Sequence, residues 1–510
     1  MAVAESRPNK AAAAQKKARS KPRKAGSKPK KTKLVEVTGY DLFYQLIYMS
    51  AIAASGIERR RIFGMAAELP RKSAAYFRRV HLLSSKLGYD YSESCRLVGE
   101  RVKSDVMKSL LLRLSDALSA GKPESSFLAE EATIQTDAYE GEYERDLESL
   151  KKWTDGYAAL VISSALIIIV NLISVLIYPI ESSMIGVLVL VSLASSGGGA
   201  WILWRTGPAE QRAEFKEDGP PIQRRARLLA FAGIGGIVAV AIPAGLLGLP
   251  LGYTLLLSGA FLMPSGLIAA KASREVAKKD KDIGQFLRSL GGFAASTGTT
   301  VSESLDRIDL SPFPFIRSDL ERLRARMRAS ISPQLCWQRL ADETGSRLIR
   351  ETATIFVDAV GLGGAADTVG LFCARYAALT NTLRSRRVVV SSTFTSLTIV
   401  MHGVLAALMV IIMEVIRNFT VIVEASMEAA TAAVESTSAP LPTFGSPELG
   451  LLNTATMGMV IALAVINALA IVATDGGHTV KTALYLGILL IVSGLCFVFV
   501  PPMVANIVQI

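Results

Sequence analysis

Seven stretches of the chain are apolar over about the length that crosses a bilayer: 157–178, 184–204, 228–247, 251–270, 388–415, 452–472 and 482–504. A hydrocarbon core ~30 Å thick is crossed by about twenty helical residues, so each stretch predicts a spanning helix. Pro179 closes the first. Only 179–183, with the single charge Glu181, separates it from the second. A turn containing Pro250 joins the third to the fourth without charge. Between the second and third lies 205–227, with Arg205, Arg212, Lys216, Arg224, Arg225 and Arg227. The stretch 271–387 is charged and has no apolar run long enough to span. The stretch 418–450 is acidic, with Glu424, Glu428, Glu435 and Glu448 and no Lys or Arg. A short loop with Asp475 and Lys481 precedes the last span.

The segment 34–156 has a different pattern. Residues 42–57 are uncharged, but sixteen residues fall short of a span. They predict a helix buried in a bundle, ended by Gly56, with an interfacial helix as the other reading. Val106, Leu110, Leu114 and Ala117 recur at spacings of three and four, a core-facing stripe. Lys108, Arg113 and Ser115 lie off it. No alternating pattern of strand length is present. The hexapeptide at 116–121, DALSAG, returns in degenerate form at 358–363 as DAVGLG, an offset of 242. At that offset, without a gap, Glu100 meets Asp342, Ser104 meets Ser346, Val106 meets Leu348, Met107 meets Ile349 and Lys108 meets Arg350. Gly121 and Gly363 end the two copies as helix-stopping turns. A long apolar helix follows each. The expected fold is therefore an all-α integral membrane protein with about seven transmembrane helices and two repeated helical-bundle domains, 34–156 and 271–387. The spans form two groups, 157–270 and 388–510.

Composition agrees with this: half of the 510 residues are hydrophobic and mean hydropathy is +0.37. Charge adds an orientation. Residues 1–33 hold twelve Lys/Arg and one acid, Glu5, a net of +11, which leaves about +1 for the rest of the +12 chain. With almost no large apolar residue, that tail is expected to be disordered. It fits either an arm that touches anionic lipid or a solvated tail that sets topology. A nucleic-acid arm is disfavoured, since no aromatic residue is interleaved to stack on bases. Lys and Arg concentrate in cytoplasmic loops. Seven spans put the tail, 205–227 and 271–387 on one side and the acidic loop on the other. The N-terminus and both bundle domains are thus expected in the cytoplasm, and the C-terminus outside. Cys95, Cys336, Cys373 and Cys496 lie far apart, without a CxxC pair, and read as four structural thiols.

Candidate chemistry is sparse. No phosphate-cradling GxxxxGK[ST] is present, and neither a cofactor nor a catalytic activity is expected. Gly197, Gly198 and Gly199 sit in an apolar run and read as a close helix contact. His81, His402 and His478 are too far apart in sequence to suggest a metal cluster. Asn171, His402 and Glu414 are strongly polar residues within spans. They are candidates for a polar pathway, or else form interhelical hydrogen bonds and, for Glu414, snorkel to the interface. Arg322, Arg324, Arg326 and Arg328 alternate along one predicted helix. They read either as a solvated face with nearby acids or as a docking surface for an acidic partner or lipid phosphates.

One known family has this arrangement. The opening residues Asp41 to Leu46 (DLFYQL) with Met49 to Gly56, the helix ending at 116–121 with Pro123 after it, the span closed by Pro179, and the repetition over 282–415 resemble the type II secretion F-protein family. The opening is most similar to its archaeal branch, the membrane platform of the archaellum and of archaeal type IV pili. The resemblance covers roughly 39–417 and the two C-terminal spans. It implies a platform in the cytoplasmic membrane whose cytoplasmic domains meet a hexameric secretion ATPase and whose spans handle pilin-like or archaellin subunits. It also implies a homodimer. The basic surface at Arg322, Arg324, Arg326 and Arg328 is the expected ATPase contact on charge alone. The contrasting reading is a repeat-containing membrane transporter. In transporters the repeats are mainly transmembrane; here the recurring signal lies outside the apolar runs. A third reading, a lipid-processing enzyme, lacks any catalytic constellation.

Overall fold

A computed structural model describes residues 37–177, 182–208, 219–247, 249–433 and 449–508. The basic tail, residues 209–218 of the 205–227 loop and the second half of the acidic loop lie outside these residues. Among the described residues there is helix and no strand. The helices are α1 Gly39–Ala53, α2 Arg59–Glu68, α3 Ala74–Leu87, α4 Tyr91–Gly99, α5 Asp105–Ser119, α6 Glu124–Ile177, α7 Ser182–Thr206 and α8 Pro221–Leu247, continuing with α9 Leu251–Thr297, α10 Val301–Arg307, α11 Arg317–Arg328, α12 Pro333–Thr344, α13 Arg347–Gly361, α14 Ala366–Ala433, α15 Leu449–Asp475 and α16 Thr482–Val508. Among the described residues, seven helices are long and apolar enough to cross a membrane. They carry large apolar side chains on the outside, such as Leu190, Leu228, Phe231 and Leu246, which fits a multi-pass membrane protein.

The sequence pattern places a border near residues 156, 270 and 387, and at all three the helix runs straight through. Helices α6, α9 and α14 are 54, 47 and 68 residues long. At 1.5 Å per residue α14 is about 100 Å long, over three times the hydrocarbon thickness. The same helix also takes in 418–433, the start of the expected external loop, because Phe419, Val421, Ile422 and a run of alanines offer it no stop.

The repeat is fuller in structure than in sequence. Helices α2 to α6 start at 59, 74, 91, 105 and 124. Helices α10 to α14 start at 301, 317, 333, 347 and 366. Four of those five pairs differ by 242 and the fifth by 243. Left-handed backbone recurs at the same offset: Gly56 and Gly298, Gly88 and Ser330, Gly121 and Gly363. At Gly121 and Gly363, with φ of +72° and +92°, a side chain would be strained, and the turn lets a short helix reverse into a long one.

Packing does not keep the two copies apart. One hydrophobic core takes residues from both, and α1 lies at its centre with Gly39 alone outside full burial. Phe43 stacks on Tyr139 of α6, with centroids 4.8 Å apart, and meets Tyr376 of α14 at 5.3 Å. Beside these rings lies the Glu351 carboxylate of α13, 3% exposed. It accepts hydrogen bonds from Tyr40, from Tyr376 at 2.6 Å, from Arg71, and from Arg347 at 2.9 Å. Tyr48 donates to Asp358 at 2.8 Å and Ser55 to the Ala359 carbonyl at 3.0 Å. The uncharged stretch at 42–57 is thus the buried helix expected, and it belongs to a core shared by both copies. The stripe on α5 is rotated from expectation: Met107, Leu110, Leu111, Leu114 and Leu118 face inward, while Val106 is 58% exposed. Val106 lies in the first turn, and Ser115 is buried because its hydroxyl reaches the Ser92 carbonyl.

Between spans the closest approach is α9 against α16. A Cβ on Gly252, Gly259 or Gly266 would fall within 2.7 Å of α16 atoms, and at Gly266 those atoms include the Leu484 backbone. The spacing of seven keeps the three glycines on one seam. Small residues let backbones touch where no hydrophobic drive brings helices together. In the 197–199 triplet only Gly199 has such a role, against the Tyr157 ring; Gly197 and Gly198 have nothing within 4 Å.

Two predictions follow from this packing. Gly266→Ala lowers stability by about 1–3 kcal/mol, read as a fall in melting temperature in detergent, whereas Gly235→Ala, with nothing within 4 Å, leaves it unchanged. Glu351→Gln leaves two half-buried guanidiniums without their shared carboxylate and costs about 3–5 kcal/mol. Burial raises the Glu351 carboxyl, but Arg71 and Arg347 pull it below its ordinary value. The ionised form is therefore favoured on folding. Its contribution is complete above the ordinary carboxylate pKa and is lost as pH falls through the depressed value. The melting difference between wild type and Glu351→Gln should shrink across that acid range.

Candidate functional site at the membrane border

The helices that continue out of the apolar layer meet the other spans in a polar girdle. Trp153, Trp201 and Trp204 are exposed there, with the Arg205 guanidinium 5.6 Å from the Trp201 ring centroid. Such rings settle at lipid–water interfaces. Two arginines of α14, Arg384 and Arg387, are buried one turn apart at the start of its apolar run. Arg384 pairs with Asp280 of α9 at 2.8 Å. Asp280 also accepts from Ser346, and its carbonyl accepts from Asn381 at 2.7 Å.

Arg387 has a different task. Its Nε donates to the Thr474 carbonyl at 3.0 Å, and its terminal nitrogens reach the carbonyls of Ala473 at 3.2 Å and Pro208 at 2.7 Å. Thr474 and Ala473 end α15, and Pro208 follows the end of α7. Helix C-termini leave carbonyls without partners and carry partial negative charge. One guanidinium, with donors fanned in a plane, serves two helix ends at once. Gly476 is required beside it: its φ is +64°, and a Cβ would lie 2.3 Å from the guanidinium carbon.

A cavity of about 550 Å³ opens between α9, α14 and the loop after Asp475. Arg274, Lys281, Arg384, His478 and Lys481 line it, with serines of α14. Its two acids already have cations: Asp280 has Arg384, and Asp475 has Lys481 at 2.7 Å. Arg274 and Lys281 are exposed and have no hydrogen-bond or ion-pair partner among the described residues. His478 accepts the Val480 N–H on Nδ1 at 3.2 Å, which puts its ring proton on Nε2. Burial, with Arg227 nearby, lowers its pKa, so it is neutral at neutral pH. The chemistry on offer is anion binding by fixed cations and hydroxyls. Among the described residues no group of three or more His, Cys, Asp or Glu could hold a metal.

Deeper in the bundle, a hydrogen-bonded chain joins four helices. Tyr157 of α6 donates to Asn467 of α15 at 2.7 Å, Asn467 contacts His402 of α14 at 3.3 Å, and His402 contacts Ser493 of α16 at 2.9 Å. His402 therefore makes interhelical hydrogen bonds. Glu414 is half-buried, and the Asn171 side chain lies outside the described residues. Asn467 was legible as a polar residue inside the 452–472 run but was not among the residues singled out there.

The arginine row on α11 lies away from both places and is engaged within the chain. Arg322 binds Asp319 and, at 3.2 Å, Glu343; Arg326 binds Glu343, and Arg328 binds Asp306. Arg324 caps α10 through the carbonyls of Leu305 at 2.8 Å and Ile308 at 2.6 Å. This matches the solvated face with nearby acids. Gly121 and Gly363 form turns and line no cavity described here. Arg384, Arg387 and Asp280 were not singled out from sequence. The available signal was two arginines three residues apart at the edge of an apolar run.

Replacing Arg387 with Met strands three buried carbonyls and lowers stability by roughly 3 kcal/mol. Arg387→Lys should recover only part of this, since one ammonium cannot serve two helix ends in the same geometry. Melting temperatures of both variants in detergent check it. No family model, curated protein or solved structure matches this chain.

Proposed function

We propose that the chain is a non-enzymatic platform of the cytoplasmic membrane that couples a hexameric secretion ATPase to assembly of an archaellum or type IV pilus-like filament. The observation that carries this reading is the continuity of α6, α9 and α14 from the shared helical core into the spans. A force applied to that core reaches the membrane through unbroken helices, with no flexible linker to absorb it. The helix-by-helix recurrence at 242 fits two copies of one bundle, as the F-protein resemblance implies. In this reading both copies and the basic tail are cytoplasmic and the C-terminus is external. The spans hand pilin-like or archaellin subunits to the filament base. A homodimer presents its helical cores to the ATPase, and in an archaellum the same pair drives rotation.

The α11 arginines remain the proposed ATPase contact, with a condition: an acidic partner must compete with Asp306, Asp319 and Glu343. Binding there would be salt-sensitive and weak per residue. The transporter reading is favoured by one observation, the buried Tyr157–Asn467–His402–Ser493 chain.

Because the copies share a core, the test uses the full chain in detergent against the host's secretion ATPases. The platform reading expects salt-sensitive capture of one ATPase, weakened by reversal of Arg322 and Arg328 to Glu. Failure to bind any ATPase, together with solute uptake by vesicles that His402→Ala abolishes, would replace it with the transporter reading.

A further inference from the structure

We propose that the cavity between α9, α14 and the 476–481 loop binds the headgroup phosphate of an anionic membrane phospholipid. The inference rests on the membrane reading of the apolar helices and is independent of the platform role. Four observations carry it.

The first is depth. The cavity's walls are the points where the apolar run of α9 ends and those of α14 and α16 begin. Arg274 stands one helical turn beyond Ala270, at the level where a lipid phosphate lies. Lys281 is two turns farther from the hydrocarbon on the same face.

The second is charge. Both lining acids are neutralised by built-in partners, Arg384 and Lys481. Arg274 and Lys281 are therefore surplus cations facing one space. Their field favours an anion, and a guanidinium can hold two phosphate oxygens at once. Basic pockets between transmembrane helices at this level are suited to acidic headgroups.

The third is size and hydroxyl supply. A volume of about 550 Å³ lies within the usual range for small ligands. Ser273 and Ser396 line the space, and neither hydroxyl has a hydrogen bond among the described residues.

The fourth separates a lipid from a soluble anion. Leu484 and the Tyr485 ring of α16 form an apolar wall on the membrane side, beside the hydroxyl-bearing Ser391, Ser392, Thr395 and Ser396 of α14. Exposed Val389 and Leu267 continue apolar surface away from it. That surface suits an acyl chain descending from a bound headgroup and offers nothing to free phosphate.

The experiment uses the full chain, delipidated in neutral detergent, with phosphatidylglycerol as probe and phosphatidylcholine and inorganic phosphate as comparisons. Native mass spectrometry counts retained lipid, and melting temperature reports occupancy. Wild type should retain phosphatidylglycerol in preference to phosphatidylcholine and melt higher with it. Losing two near-surface cations should weaken that preference roughly tenfold or more in R274Q/K281Q. K151Q/K152Q removes two exposed charges at the same border, outside the cavity, and should behave as wild type. Should R274Q/K281Q melt lower without lipid, S385D, which places a like charge against the phosphate from an exposed lining position outside the apolar run, carries the test and should also lose binding. Wild-type affinity in R274Q/K281Q or S385D, or an equal loss in K151Q/K152Q, overturns the site. Inorganic phosphate that raises the melting temperature as much as phosphatidylglycerol does overturns the lipid assignment in favour of a soluble anion.

Discussion

The Glu351 carboxylate is the point at which the two copies become one body. It is buried among Arg71 and Tyr40 from the first copy and Arg347 and Tyr376 from the second. A buried carboxylate is tolerated only where cations and donors surround it. That requirement sets the position of α1, which brings Tyr40, and of the segment around Arg71, relative to α13 and α14. The Phe43, Tyr139 and Tyr376 rings then fill the space beside it. The long helices α6 and α14 leave this core for the membrane together, so their spacing at the bilayer is inherited from it.

The recurrence at 242 is close in helix starts and turns and broken in chemistry. The position equivalent to Glu351 is Ser109, Arg71 corresponds to Phe313, and Tyr48 to Leu290. Asp116 is exposed, while its counterpart Asp358 accepts a hydrogen bond from Tyr48. Turn positions and helix starts are kept because they depend on local backbone geometry. Contacts between copies are free to diverge, and the Glu351 ion cluster has no counterpart around Ser109.

At the membrane border the governing constraint is polar satisfaction. Backbone carbonyls at the ends of α7 and α15 cannot rely on water near the hydrocarbon. Arg387 meets both sets, and its neighbour Arg384 meets Asp280. With those demands closed inside the chain, Arg274 and Lys281 are left facing the cavity as surplus charge. The α11 arginines show the reverse case: a row that looks cationic in sequence is matched by acids and carbonyls from neighbouring helices.

The sequence by itself determined the seven apolar helices, the buried character of α1, the repeat and its turns at Gly121 and Gly363. These rest on local physics: hydropathy over twenty residues, helical periodicity, and the backbone freedom of glycine. Only the tertiary structure decided that the domain borders are continuous helices, that both copies share a core, and which cations remain without partners. An apolar run marks where hydrocarbon begins but contains no stop for the helix. Pairs such as Tyr40 with Glu351, 311 residues apart, leave no mark in local pattern, since any carboxylate and any tyrosine look alike until packing brings one pair together.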